Sequence, residues 1–376
     1  LSVTNSSCCR FAPVANFWRQ VPGIRYNVAV LPDTHLIPKR NLLMQLSGKH
    51  VLITGGAGFI GSHLLDQLVS AGNHVTVIDN FCNGKEANVR HHRGNPMVRI
   101  ERADICDFDE VDRVMGGTDV IFHLAVCCAR TSAHDPFQAA QTNAAGSLNV
   151  CEAARRHRAG RLIYVSTIGV YGDATYWPVD EKHPLEPANM YGSSKAAGEM
   201  YARSYWRTYG VPTAILRLSS TYGPREPSQG RRAEVIPKFV MRILAGERPV
   251  IYGTGEQTRD FTYVDDIVRG LLLAAECDAM VGECVNLGRG QDVSVGSVCR
   301  LIMQKLDRPD LEPIFIPNGS APERDRAIID VRKAGQMFGF SAPIDINAGL
   351  DSYIRWVRQQ DVDLKSWLEQ DRTAQD

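Results

Sequence analysis

The chain has 376 residues, 44% of them hydrophobic, enough for two globular domains sharing a core. Its 42 basic and 42 acidic side chains cancel, so neither nucleic acid nor a membrane surface is expected as partner, and no apolar run approaches the ~18 residues that cross a bilayer. The ten cysteines are scattered, several (Cys106, Cys127, Cys151, Cys284) inside apolar segments, and Cys8-Cys9 and Cys127-Cys128 are adjacent pairs rather than Cys-x-x-Cys knuckles, so no zinc site is expected and a reducing cytoplasm fits best.

Residues 1–47 carry five basic side chains (Arg10, Arg19, Arg25, Lys39, Arg40) against one acid, Asp33, with no sustained periodicity. The stretch reads as a disordered extension, as an Arg-rich transit segment, or as sequence upstream of a natural start at Met44.

At residue 51 the pattern changes. Val51-Leu-Ile-Thr-Gly55-Gly-Ala-Gly58-Phe59-Ile60-Gly61 is an apolar run broken by spaced glycines, after which Leu64, Leu65 and Leu68 recur at helical spacing. This predicts strand, tight turn, helix, with Gly55 allowing the turn, Gly58 admitting a pyrophosphate to the backbone and Gly61 packing the helix on the strand. A second strand at 75–78 ends in Asp79, where a dinucleotide fold places the acid that holds the adenosine ribose. A carboxylate there repels a 2′-phosphate and so favours NAD over NADP; a solvated loop aspartate is the alternative.

Further strands are predicted at 98–102, 120–123, 161–166 and 214–218, with helices near 61–71, 109–116, 137–158 and 192–209. Repeated βα units give an α/β fold, a Rossmann-type doubly wound parallel sheet with helices on both faces and right-handed crossovers. After Pro224 the pattern loosens into Gly-, Pro- and Arg-rich loops around helical stretches at 235–245 and 265–275, which reads as a smaller mixed α/β domain closing over the carboxyl ends of the strands. The expected division is a nucleotide-binding part over 48–222, a substrate-binding region over 223–358 with some segments returning to the first part, and a C-terminal tail over 359–376.

Tyr191-Gly-Ser-Ser-Lys195 opens the helix at 192–209, and its i, i+4 spacing puts phenol and ammonium on one face. A cation there lowers the Tyr191 pKa from about 10 toward neutral pH, making the phenol an acid/base, and Lys195 is also placed to hold the nicotinamide ribose. Upstream, Leu162-Ile-Tyr-Val-Ser166-Thr167 is a buried strand with two hydroxyls at its carboxyl end, one of which could bond a substrate oxygen. A half-buried tyrosine beside a solvated lysine, and hydroxyls that merely end a strand, are the plainer alternatives.

With these pieces in this order, the sequence resembles the extended short-chain dehydrogenase/reductases, specifically the NAD-dependent sugar-nucleotide epimerase/dehydratase family, over roughly residues 48–358. The resemblance rests on the glycine turn, Asp79-Asn80, Asp104-Ile105, His123-Leu124-Ala125, Asn143-Ala-Ala-Gly146, Ser166-Thr167, Tyr191 to Lys195, Tyr222-Gly-Pro224 and Arg259-Asp-Phe-Thr-Tyr-Val-Asp265. It implies that Asp104 and Ile105 flank the adenine, that Leu124 and Ala125 line the cofactor groove, that Asn143 belongs to the cofactor site, and that Thr167, Tyr191 and Lys195 form the catalytic triad. It also implies that Arg259 clamps a diphosphate, that Tyr252 packs near the nucleotide base, and that Ser166, Ser220 and, loosely, Arg326 belong to the substrate site.

Two departures narrow the reading. Family dehydratases and nucleotide-sugar decarboxylases carry an acid just after the catalytic threonine, whereas this chain has Ile168-Gly169. Ser220 stands where an asparagine is frequent. The expected function is therefore a UDP-glucose 4-epimerase-like reaction on a nucleotide sugar through a 4-keto intermediate. A related reductase, dehydrogenase or decarboxylase is the alternative within the family, and a non-catalytic NAD-binding module the alternative outside it. The resemblance further implies a homodimer, paired through the helices at 137–158 and 192–209.

Overall fold

Each apolar run bounded by turn residues becomes a strand in the computed structural model, which describes residues 45–228, 233–317 and 326–373. In chain order the strands are β1 (His50–Thr54), β2 (His74–Asp79), β3 (Val98–Arg102), β4 (Val120–His123), β5 (Arg161–Thr167), β6 (Thr213–Leu218), β7 (Ser220–Tyr222), β8 (Val250–Tyr252), β9 (Thr258–Arg259), β10 (Phe261–Tyr263), β11 (Cys284–Leu287), β12 (Val293–Ser294) and β13 (Ile314–Ile316). The extension expected over residues 1–47 lies, up to residue 44, outside the described residues.

Seven strands form one parallel sheet in the order β11-β6-β5-β4-β1-β2-β3. Both faces are covered, as a sheet of near-continuous apolar strands requires. Successive side chains of β1 serve opposite sides: Val51 and Ile53 join one core cluster with Val77, Phe122 and Leu216, while Leu52 joins another with Ile78, Ile121 and Leu162. The chain leaves β1 for β2 on one side and later returns to β4 on the other, so the strand order reverses between β1 and β4. A crevice opens at the carboxyl ends of the strands there.

The expected helices are present as Phe59–Ser70, Phe108–Met115, Met190–Tyr209, Val235–Leu244 and Val264–Glu276. The stretch expected as one helix at 137–158 is instead a short helix Pro136–Ala139, a π-helical turn Ala140–Gly146 and a helix Ser147–Arg156. The inward amide of Asn143, within that wide turn, accepts from the Cys127 N–H at 2.8 Å and donates to the Cys127 carbonyl at 3.0 Å.

From β7 on the chain adds short strand pairs, β7 with β10, β8 with β13 and β9 with β12, and sends β11 back to the edge of the main sheet beside β6. The stretch expected as a tail holds a helix, Leu364–Thr373, whose Trp367 is only 1% exposed and whose Asp371 accepts from Arg242 Nη1 at 2.6 Å. Among the described residues no helix is long and apolar enough to cross a membrane.

Candidate active site

The turn after β1 is built for close approach. Gly55 has φ of +73°, and a Cβ there would sit 2.7 Å from the Ala125 nitrogen; one on Gly61 would sit 2.3 Å from the Gly55 carbonyl oxygen. The helix Phe59–Ser70 therefore starts hard against the loop. Gly58 caps it with no side-chain hydrogen bond, which leaves its first N–H groups to an outside anion.

Asp79, buried at the end of β2, accepts from the Ala57 N–H at 2.9 Å and the Phe81 N–H at 2.8 Å. Burial pushes its carboxyl up from the ordinary range, and those two bonds pull the other way. Asn80 donates to Asp104 at 2.9 Å, so the residues after β2 and β3 face each other across the same groove. Burial raises the Asp104 carboxyl, but bonds from Cys106 and Asn80 outweigh it and hold it low. Gly55, Gly58, Phe59, Ile60, Gly61, Asp79, Asn80, Asp104, Ile105, Leu124 and Ala125 all line one cleft of about 350 Å³. That volume is at the lower end of small-molecule sites, roughly 300–1,000 Å³.

The same cleft runs on to Ser166, Thr167, Tyr191 and Lys195. Asn189 starts the helix Met190–Tyr209 by accepting from the Gly192 N–H at 2.9 Å, which fixes Tyr191 in the first turn. Thr167 faces the same cleft as Tyr191, its hydroxyl oxygen accepting from the Gly169 N–H at 3.1 Å. One turn on, Lys195 is buried with its Nζ 4.3 Å from the centre of the Tyr164 ring.

The electrostatics differ from the expectation. Burial pushes Tyr191 up to about 12, with the nearby Thr167 hydroxyl only partly offsetting it. Burial also pulls Lys195 down to about 7, against the opposing pull of Glu199. The ammonium that was to acidify the phenol is itself weakened by desolvation. His123 is buried too, forced down to about 3 first by burial and then by the Lys195 charge; as a neutral ring it bridges Thr54 and Ser147 at 2.6 and 2.9 Å.

Five expected residues lie elsewhere. Asn143 sits behind the cleft wall, its amide spent on Cys127 and on Ser194 at 3.0 Å. Ser220 does not line the cleft; its neighbours Ser219 and Thr221 do, as alternation along an extended segment dictates. Tyr252 is half-exposed on β8, away from the cleft. Arg259, on β9, donates to the Thr258 carbonyl at 2.7 Å. Arg326 pairs with Asp292 at 2.9 Å, and because Asp292 also accepts from Thr258 at 2.7 Å, the two arginines share one neighbourhood. Arg326 also borders a small pocket beginning at Ile168, the residue after Thr167. Ser166 does line the cleft, but its hydroxyl proton goes to Glu199 at 2.6 Å, so toward a substrate it can only accept.

Residue spacing singled out none of several cleft residues: Cys82, Asn83 and Cys128 on the loops after β2 and β4, and the glutamates Glu226 and Glu234. Glu226 is fully buried, and burial, followed by the nearby Glu234, holds its carboxyl well above the usual range. Two acids in an irregular loop carry no periodic or spacing signal. Only Ser219 and Thr221 were recoverable, by applying the period of two from β6 onward.

A glycine turn at the switch point, a buried acid at the end of the second strand and a Tyr-Lys pair on the next wall define a dinucleotide-dependent enzyme fold. A sequence profile of the NAD dependent epimerase/dehydratase family matches residues 51–288, and the chain belongs to that family. It is 34% identical over 319 residues to a putative UDP-glucose 4-epimerase of Methanocaldococcus jannaschii, covering 82% of this chain and 98% of that protein. It is also 34% identical over 333 residues to UDP-glucuronic acid decarboxylase 1 of Xenopus tropicalis, covering 87% and 76%. Among solved structures, UDP-glucose 4-epimerase of Thermotoga maritima with UDP-glucose superposes with a TM-score of 0.78 at 33% identity, covering 82% of this chain and 99% of that one. NAD is the cofactor, and the uncapped helix start, the Gly55 to Gly61 approach and the Asp79 carboxylate fit it.

Proposed function

We propose that the protein is a nucleoside-diphosphate-sugar 4-epimerase acting on a UDP-sugar. The observation that carries this reading is that Thr167, Tyr191 and Lys195 line the nucleotide cleft together, with Ile168 after Thr167 where family members that eliminate water carry an acid. Tyr191, as the phenolate that the positive nicotinamide ring of bound NAD would favour over the buried phenol, would take the proton of the sugar 4-hydroxyl and later return it, with Thr167 aligning that hydroxyl. NAD, when bound, would supply the hydride acceptor and donor at the sugar C4. Lys195 holds the nicotinamide ribose beside Tyr191, while Asp79 grips the adenosine ribose and Asn80, Asp104, Ile105, Leu124 and Ala125 bracket the adenine half. Arg326, paired with Asp292, and Arg259, next to the Thr258 that also bonds Asp292, hold the substrate diphosphate so that binding energy far from C4 leaves the sugar free to turn. In this reading residues 48–222 supply the cofactor site and residues 223–358 most of the substrate site.

One observation favours a second reading. Glu226, a buried acid of the same cleft whose carboxyl burial pushes up, is placed to serve as the acid of an elimination. Incubating the NAD-loaded protein with UDP-glucose, UDP-N-acetylglucosamine and UDP-glucuronate, without added oxidant, separates the two by NMR. Inversion at C4 with no net NADH is expected; a stable 4-keto-6-deoxy sugar or released CO2 would remove the epimerase.

A homodimer is also proposed. Phe137, Leu148 and Met200 are exposed at 86%, 37% and 43% on the helical stretches that would meet a second copy. Light scattering should give twice the chain mass, falling to the monomer in a Phe137→Glu, Met200→Glu variant. The eight described cysteines are all free thiols, which supports a reducing compartment such as the cytoplasm.

A further inference from the structure

On the outer side of the helix Phe59–Ser70, away from the cleft, two imidazoles and a carboxylate meet. His91 Nε2 and His92 Nε2 each lie 2.7 Å from Asp66 Oδ1, and the three atoms are all within 4.8 Å of one another. We propose that Asp66, His91 and His92 bind one divalent transition-metal ion of the zinc class.

Three features support a built site. Consecutive residues of a 3-10 turn such as Arg90–His92 point roughly 120° apart, yet these two rings converge, their centroids 4.2 Å apart. Ligand bonds of about 2.0–2.2 Å from one zinc ion place neighbouring ligand atoms roughly 3–3.5 Å from one another, a spacing these atoms reach by small side-chain shifts. The donor set, two neutral nitrogens and one carboxylate oxygen, suits zinc, cobalt or nickel better than calcium or magnesium.

The remaining charges are compatible with a cation. Arg225 Nη2 holds the other carboxylate oxygen, Asp66 Oδ2, at 2.8 Å, so Oδ1 stays turned toward the imidazoles. Asp265 also lies within electrostatic reach of Arg225 and offsets its charge. His92 is one-tenth exposed and His91 about half, so the ion has an open approach on one side and packed protein on the other.

The ion would fasten two segments that shape the nucleotide cleft, and Arg225, through Asp66, ties on a third. Asp66 belongs to the helix whose start faces the pyrophosphate position, His91 and His92 follow the loop of Cys82 to Gly84, and Arg225 precedes Glu226 and Pro227. Its role is that of a clamp, with no part in bond making.

The test uses the untagged, NAD-loaded full chain dialysed against zinc chloride and, separately, titrated with cobalt chloride. Expected are one zinc per chain, a visible cobalt absorption of low-coordinate type, and a higher Tm on zinc addition. His91→Ala and His92→Ala should each weaken zinc binding at least about tenfold and abolish the Tm response. NAD content of each variant checks that it is folded, and His91→Gln serves if an alanine variant is not. Absence of saturable binding in the wild type, or equal binding in the doubly substituted His91→Ala, His92→Ala protein, would overturn the proposal.

Discussion

A phenol and an ammonium buried in one cleft constrain each other's chemistry. Tyr191→Phe should lower turnover by about 10²–10⁴-fold, the range for loss of a general acid/base, while NAD content after purification stays unchanged. Lys195 makes a different prediction. Its value in the fold, about 7, lies below the ordinary 10.5, so between those limits the unfolded chain binds the proton more tightly and stability rises with pH. Below pH 7 the buried charge weighs fully against the fold. Lys195→Met should therefore be inactive yet gain most in Tm at pH 6, the gain shrinking toward pH 9, when both proteins are stripped of cofactor. Residue spacing made the Tyr191–Lys195 pair and the glycine turn legible in the sequence. It could not reveal that desolvation would override the ammonium, nor that Ser166 spends its proton on Glu199, because burial and long-range partners leave no local pattern.

At the scale of elements, the helix Met190–Tyr209 is bolted to the sheet by ions. Arg217 of β6 donates to Glu199 through Nε at 2.9 Å and Nη2 at 2.6 Å, both side chains buried, and its Nη1 reaches the Tyr171 hydroxyl at 2.9 Å. Glu199→Gln should cost about 3–5 kcal/mol in urea unfolding because it strands a buried guanidinium, whereas Glu199→Leu with Arg217→Met should cost far less than the two single changes together. The pair also anchors Ser166, on the strand carrying Thr167, to the helix carrying Tyr191. Long runs such as 192–209 could be read from their helical period. β11 could not: its four residues are too short to distinguish from a loop, and its partner β6 lies far back in the chain.

Across the whole molecule, the last helix reaches the cleft indirectly. The Trp367 indole donates to the carbonyl of Ser228, next to the cleft residue Pro227. Trp367→Ala should cost about 3–5 kcal/mol of stability and raise KM for the sugar nucleotide while leaving NAD retention intact, a split that steady-state kinetics and cofactor content resolve. The signal in residues 359–376 was a single helical turn, Leu364, Trp367 and Leu368 at i, i+3, i+4 in an otherwise polar stretch, too short a period to set it apart from a tail. The return of β11 to β6 bears on how the polypeptide is made. On the ribosome, a nascent chain that has emerged only as far as residue 222 presents the bare N–H and C=O groups of β6 to any strand nearby, and they stay unmatched until residues 284–287 follow. A translational pause inside that interval, or a gene trimmed to the cofactor-binding part, would leave a sticky margin for chaperones to shield.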